Sequence, residues 1–514
     1  MAKTAKNGGP SVGAPAARNA NAAAGADEEF ELKLEVAPAT LEALRAAWPM
    51  SDAAAIDCQQ ESVYFDTPQR SLRDAGFSLR IRTIGERRIQ TIKAESAAAA
   101  GLFVRPEWER EIDTDAPVLD DDAPWRPLVP GTEIDRLAPI CRVSVVRRTV
   151  LVEREDASIE VVLDHGAIIA GDRTEMVHEI ELELKRGHPA ALFALAREID
   201  RIAPLRLGVL TKSERGYRLG SVTPDTPVKT GPLDLRPGLT TAAGFQAIVG
   251  ACLRQFRLNE AILVRTGDPG ALHQARVALR RLRSALSTFK RIVRDDRFDR
   301  LRAELRWIAG ALGQARNLDV LLARVPDRAA SKPLRTARTK AYKAVRHALA
   351  SARLRALMLD LSEWTAIGPW TSAPAGREAR QQPLEAFAAI ALAKHRRRLK
   401  RLGRALGKVG DEERHEARIE AKKLRYATEF FASLFPRKKS VRRHRAFYDA
   451  LETLQSQLGD LNDLATAPLV LAELGLAGTA TAEALQPDLS LRGPLLEKAV
   501  AAQETLMDRK RFWR

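Results

Sequence analysis

The hydrophobic period of this chain changes once, from two residues to about 3.6, and that change demands a β fold followed by an α fold. Between residue 28 and about residue 219, short segments alternate apolar with polar side chains, at 30–36, 77–84, 88–93, 108–112, 144–153, 158–163 and 177–185. Gly, Pro and Asp clusters separate them, as expected of strands in one antiparallel barrel and not of parallel βαβ units. Helical stretches interrupt at 39–48 and 189–202. Residues 221–238 hold four prolines and no helical period, which reads as an inter-domain linker. Beyond it Ala, Leu, Arg and Glu recur at helical spacing, with a break at 366–378 marked by Gly368, Pro369, Pro374 and Gly376.

Charge divides at the same place. Of the 514 residues, 241–514 contain 52 Lys or Arg against 28 Asp or Glu, a balance of +24. Residues 1–240 contain 31 and 38, a balance of −7. A module as basic as the second repels itself and suits a polyanionic partner. No apolar run approaches the roughly 18–20 residues that span a bilayer, so no membrane partner is expected. Residues 1–26 lack the apolar core of a secretory signal and read as a disordered leader. Cys58, Cys141 and Cys252 are odd in number and far apart, which fits a reducing cytoplasm and no zinc or disulfide framework.

The β part carries its charges at period two. Glu29, Glu31 and Lys33 share one strand face, as do Glu179, Glu181 and Glu183, and so do Arg80 and Arg82; Lys93 lies on the next strand. In an open sheet such a face would simply look at water. The intervening residues, however, are Phe30, Leu32, Ile81, Ile180 and Leu182. In a closed barrel these would turn outward to packing helices, leaving both signs of charge in the lumen. Carboxylates hold hard divalent cations through oxygen, and Arg and Lys grip phosphate oxygens. No P-loop is present. His165 and His178 flank acidic positions and are read as incidental polar residues.

Glu29-x-Glu31-x-Lys33, the Arg80-x-Arg82 pair, the Glu-Ile-Glu-Leu-Glu run at 179–183 and the closing Thr211-Lys212-Ser213 resemble the CYTH domain of the triphosphate tunnel metalloenzymes, over residues 27–219. The resemblance implies an eight-stranded antiparallel β tunnel that hydrolyses inorganic triphosphate, or another short triphosphate, with Mg2+ or Mn2+. Carried over by residue, Glu29, Glu31, Asp164, Glu179, Glu181 and Glu183 would serve the metal. The pair of the 179–183 run that touches it stays open between 179/181 and 181/183. Lys33, Arg80, Arg82, Lys93, Arg147 and Lys212 would cradle phosphate. Arg147 and its neighbour Arg148 face opposite ways, so only one of them points inward. Among Glu107, Glu109 and Glu111, Glu109 is the choice for the lumen.

The α part repeats itself. His273-x-x-Arg276-Val277-x-x-Arg280-Arg281-Leu282-Arg283 returns as His415-x-x-Arg418-Ile419-x-x-Lys422-Lys423-Leu424-Arg425. Leu312-Gly313 with Arg316-Asn317-Leu318-Asp319 is echoed by Leu458-Gly459 with Asn462-Asp463, which lacks the arginine. At about 100° per residue, His273, Arg276, Arg280 and Arg283 fall within an arc of roughly 80°, beside a separate leucine face. No acid interrupts the stripe, and its like charges repel by a few tenths of a kcal/mol per pair unless an anion fills the gap. These phrases resemble the CHAD domain, over residues 240–510, with repeats at about 240–365 and 379–510 and a linker at 220–239. That resemblance implies an all-α pair of four-helix bundles binding inorganic polyphosphate through His273, Arg276, Arg280, Arg281, Arg283 and Arg316, then His415, Arg418, Lys422, Lys423 and Arg425.

The expected protein is therefore a multidomain β + α chain: a cytoplasmic inorganic triphosphatase, held on polyphosphate or its granules by the helices. Two other readings follow from the same residues. One is a polyphosphate-binding or granule-associated protein without turnover. The other is a nucleic-acid binder, disfavoured by 5% aromatic content and by a basic stripe with no stacking platform in it.

Overall fold

The structure is a computed structural model. It describes residues 27–94, 101–119, 123–126, 129, 131–221, 223, 225–325, 331–473, 475, 478–486 and 488–514. The leader expected at 1–26 lies outside them. Among the described residues, no helix is long and apolar enough to cross a membrane.

Eight strands close into an antiparallel barrel: β1 (Asp27–Val36), β2 (Ile56–Asp66), β3 (Phe77–Ile84), β4 (Arg87–Ala94), β5 (Leu102–Ile112), β6 (Ala138–Glu153), β7 (Ser158–Ala170) and β8 (Arg173–Arg186). Their order is β5-β4-β3-β2-β6-β7-β8-β1, and β1 pairs back onto β5, so no edge is left in the ring. A short β9 (Leu205–Leu207) adds to β1 outside the ring. Helices α1 (Leu41–Arg45), α2 (Ser71–Asp74), α3 (Gly131–Ile134) and α4 (Ala190–Ile202) connect the strands, and α5 (Lys212–Ser221) follows β9. The sequence reading has neither β2 nor α5; the structure has both.

The barrel is turned inside out relative to an ordinary sheet. Leu32, Leu34, Ile180 and Leu182 are fully buried on its outer wall, within a core shared with α4 and the first helices of the C-terminal part. Leu79, Ile81 and Ile92 are likewise covered by Trp125 and its neighbours. At about 25 cal/mol per Å2 of apolar surface, this outer coat is the main force holding the ring. The lumen is divided lengthwise. Cys141, Val143 and Val145 share the inward face of β6 with Arg147, and with Ile168, Ala170 and Val177 they make one end apolar. Helix α5 stoppers that end. Its Gly216 lies so near β6 that an added Cβ would stand 2.2 Å from Cys141 Sγ. Tyr217 Oη donates to the buried Asp66 at the end of β2 and fixes the stopper.

The C-terminal part is helical: α6 (Thr241–Thr266), α7 (Pro269–Val293), α8 (Phe298–Leu322), α9 (Lys332–Ala350), α10 (Ala352–Ile367), α11 (Arg377–Gln381), α12 (Leu384–Gly403), α13 (Asp411–Phe430), α14 (Lys438–Glu473), α15 (Ala480–Ala484) and α16 (Arg492–Asp508). Helices α6, α7, α8 and α9 close one ring of four, and α12, α13, α14 and α16 close a second. The duplication is visible at both helix starts, where Thr241 N donates to Gln382 O and Leu384 N donates to Leu239 O (3.0 and 2.8 Å). The halves meet where α7 packs on α13, the two helices bearing the repeated basic phrase. The proline-rich stretch before α6 has no regular element, yet it is pinned. Asn259 bonds both the N–H and the carbonyl of Val228, and Ser433 does the same for Leu235.

Candidate active site

The charged half of the lumen is a cavity of about 240 Å3, and cross-strand register explains its lining. Inward positions on adjacent antiparallel strands stand opposite one another. The register therefore pairs Lys33 with Glu181, Asp164 with both Arg147 and Glu179, Arg80 with Thr91, and Lys93 with Glu107. Glu31, Glu181 and Lys33 are 3, 8 and 5% exposed, inside a ring whose outer face is leucine and isoleucine.

Its acidic side lies on β7 and β8. Asp164, Glu179 and Glu181 bring carboxylate oxygens within 4.8 Å of one another, all buried. Lys212, the first residue of α5, reaches into this triad: its Nζ stands 2.7 Å from Asp164 and 2.8 Å from Glu181, and also meets Glu179. Arg147 grips Asp164 with a two-pronged bond (2.8 and 2.6 Å) and donates to Glu181 at 3.1 Å. Burial alone would favour a neutral Glu181, but Lys212, Lys33 and Arg147 outweigh it and hold the carboxyl well below its usual range. Asp164 is lowered for the same reason, by Lys212 and Arg147. Burial opposes the charge on Lys33, yet Glu181 and Glu31 raise its pKa. Three converging carboxylate oxygens suit a hard divalent cation, so this donor set fits the metal that the resemblance implies.

The basic side lies on β3 and β4. Arg80 stands 3.8 Å from both Glu107 and Glu109, and Lys93 is 2.8 Å from Glu107. Arg82 lines the same cavity with no ion pair among the described residues. Burial, then Arg80 and Arg147, push its pKa down to about 10. Glu109 offsets this only in part, so the desolvated guanidinium is left short of negative charge.

Glu31 faces Lys33 and Arg105 (3.1 Å to the latter) and stands outside the three-carboxylate cluster. Glu183 sits at the mouth, where Lys185 meets it at 2.6 Å. The side chain of Glu29 lies outside the described residues; its backbone pairs with Arg105. Arg148 points outward, to Asp57 and the Met50 carbonyl, so Arg147 is the inward member of that pair. Both Glu107 and Glu109 line the cavity, while Glu111 bonds Arg87 outside it. His165 and His178 stack with their Nδ1 atoms 2.9 Å apart, off the cavity lining. Arg105 and Tyr64 also line the cavity and are absent from the sequence reading. Arg105 falls two residues before Glu107, so the same alternation carries it.

The helical part has its own concentration of charge. His273, Arg276 and Arg280 on α7 share a field with Arg316 on α8, and Arg280 also acts on Arg418 and Lys422 of α13. Among the described residues Arg280, Arg316, Arg418 and Lys422 make no ion pair, and Nε of both Arg280 and Arg418 is buried without a partner. Burial, then Arg280 and Arg316, lower Arg276 to about 10; burial, then Arg418 and Arg280, lower Lys422 to about 7. The remaining members of the two stripes are engaged elsewhere. Arg281 is buried against Glu429 and the Phe430 ring, and Arg425 bonds Glu429 at 2.7 Å. Lys423 lies 3.8 Å from Glu420, and His415 Nδ1 is 2.8 Å from Asn462. Arg283 turns toward Arg302 and Arg306.

Comparison with known proteins matches residues 27–217 to the CYTH domain family and residues 247–472 to the CHAD domain family. The chain is 30% identical over 203 residues to the inorganic triphosphatase of Haemophilus influenzae. That alignment covers 38% of this chain and 55% of the other, so the chain spans about half the length of that relative. Among solved structures, the CHAD domain from the plant Ricinus communis is 29% identical, covering 54% of this chain and 96% of that one, with a TM-score of 0.46. A Hippeastrum protein described as having a dominant triphosphatase activity is 21% identical, covering 38% and 98%, with a TM-score of 0.32.

Proposed function

The chain carries a CYTH domain over residues 27–217 followed by a CHAD domain over residues 247–472, and from that premise we propose that the barrel hydrolyses inorganic triphosphate to diphosphate and phosphate. One observation carries this reading: one cavity inside the closed barrel holds a buried carboxylate triad and, with it, an arginine that makes no ion pair among the described residues. Phosphoryl transfer to water needs charge neutralisation and alignment more than covalent catalysis. Arg80, Arg82 and Lys93 would take the oxygens of the phosphate chain, Arg82 contributing a charge that makes no ion pair among the described residues and is offset in part by Glu109. Asp164, Glu179 and Glu181 would hold Mg2+ or Mn2+, with Glu31 nearby. That ion, when bound, supplies charge neutralisation and polarises what it touches. Lys212 and Arg147, joined by Lys33 at Glu181, favour the ionised forms of Asp164 and Glu181, and Lys212 also meets Glu179.

Purified protein with Mg2+ should release phosphate from tripolyphosphate. Arg82→Ala should raise KM by about 10–100-fold, since a charged hydrogen bond contributes roughly 1.5–3 kcal/mol. Binding without release would leave the barrel as a receptor, and unchanged KM in the variant would remove Arg82 from the site.

For the helical part we propose polyphosphate binding between α7 and α13, by His273, Arg276, Arg280, Arg316, Arg418 and Lys422. Location on polyphosphate granules would follow from it. The pH dependence has a definite sign. Lys422 is half neutral near pH 7 in the unliganded fold, and a bound polyanion restores its charge. Binding therefore takes up a proton as pH rises above about 7, and affinity should fall by at most about tenfold per pH unit. Lys422→Met should flatten that profile, and calorimetry in buffers of different ionisation enthalpy would measure the proton. Without ligand, the unfolded chain holds more protons at this site between about 7 and its ordinary 10.5, so stability rises with pH across that window.

A further inference from the structure

Helix α6 belongs to the CHAD part, yet it holds the stopper of the barrel. Arg254 and Arg257 are three residues apart on one face of it. Arg254 donates to the Val209 carbonyl at 2.8 Å and to Glu214 Oε1 at 2.7 Å. Arg257, 3% exposed, donates to the Leu207 carbonyl at 2.8 Å, meets Glu35 on β1 at 3.1 Å and pairs with Glu260 on its own helix.

The atoms these arginines hold bracket Lys212. Thr211 and Glu214 form a capping box that sets the first turn of α5: Thr211 N donates to Glu214 Oε2 (2.9 Å) and Glu214 N donates to Thr211 Oγ1 (3.2 Å). One oxygen of Glu214 thus serves the cap while the other is tied to Arg254. Lys212, between the two capping residues, projects into the carboxylate triad. A displacement of about 1 Å in such a segment is enough to cost on the order of a hundredfold in rate.

We propose that Arg254 and Arg257, contributed by the CHAD part, are positioning residues for the barrel's site: they template residues 207–214 so that the Lys212 ammonium stays inside the Asp164, Glu179 and Glu181 cluster. The barrel's machinery is then completed by a helix outside the barrel. The kinetic readout rests on the triphosphatase reading; the geometric claim has a separate one.

The test uses the full chain with Mg2+ and tripolyphosphate. Arg254→Met should lower kcat/KM by about 10–100-fold, and Arg254→Lys should recover part of it. On a Lys212→Met background the same change should cost nothing further, because the arginine acts through that lysine. Arg265→Met, on the same helix but paired with Asp225, should leave kcat/KM unchanged. Full activity in Arg254→Met, or losses that multiply on the Lys212→Met background, would overturn the proposal. If the wild-type chain releases no phosphate, the triphosphatase reading fails. The positioning claim is then decided by the calorimetric Kd for tripolyphosphate. Arg254→Met must weaken it in the presence of Lys212 and not in its absence; any other pattern rejects the claim.

Discussion

Glu181→Gln should cut phosphate release from tripolyphosphate by about 10²–10³-fold, the loss expected when one preorganised charge leaves a reacting site. Glu181 is the point where the cavity's charges meet: it faces Lys33, Lys212 and Arg147 and is one of the three clustered carboxylates. Glutamine keeps the volume but gives up the charge that would hold a divalent cation. It also leaves buried cations less compensated, at a stability cost of about 3–5 kcal/mol. Melting curves therefore have to accompany the kinetics, with activity read well below the transition. The ionised forms of Glu181 and Asp164, both lowered, stabilise the fold at and above the ordinary carboxylate range, and that contribution drains away as acid passes through their folded values. A Glu181→Gln protein that is folded and turns over at the wild-type rate would remove the triad from the reaction.

The second large effect belongs to the helices. The double substitution Arg280→Glu with Arg418→Glu should weaken polyphosphate binding by about 10²–10⁴-fold, taking two charge-assisted contacts at roughly 1.5–3 kcal/mol each. These two are chosen because each has a buried Nε without a partner and neither is spent on an ion pair among the described residues. Their loss relieves repulsion around Lys422, so the unliganded chain should melt no lower than wild type. Arg281 offers the contrast. Engaged with Glu429 and lying 5.0 Å from the Phe430 ring, it should cost stability when removed. Unaltered polyphosphate affinity in the double variant, measured at fixed salt, would move the binding surface elsewhere.

Period-two charge made the lumen legible. Glu31, Lys33, Arg80, Arg82, Glu179 and Glu181 each alternate with a large apolar residue, and that contrast survives without coordinates. Where contrast is missing, the reading fails. Strand β2 turns Gln60, Ser62 and Tyr64 inward, beside a polar Gln59 and Glu61, so it resembles a loop by composition. Arg105 is hidden by Pro106, a residue that normally argues against a strand interior, here at the seam where β5 meets β1. Helix α5 has its capping signature in Thr211 and Glu214, but barrel-like text before it masks the start. In the repeats, spacing picks out the basic helices but not which side chains remain uncompensated. Arg281 and Arg280 are neighbours in sequence, and only tertiary packing commits one to Glu429 and leaves the other unpaired.

Among the described residues, α5 closes the apolar end of the bore, and the charged cavity opens at the end that carries Glu183 and Lys185. A guest that came in by that end would enter end-first and leave by the same route. On the proposed reading, a long polymer would offer its terminus there and not an interior linkage, and both fragments would have to withdraw after each cut before the next began.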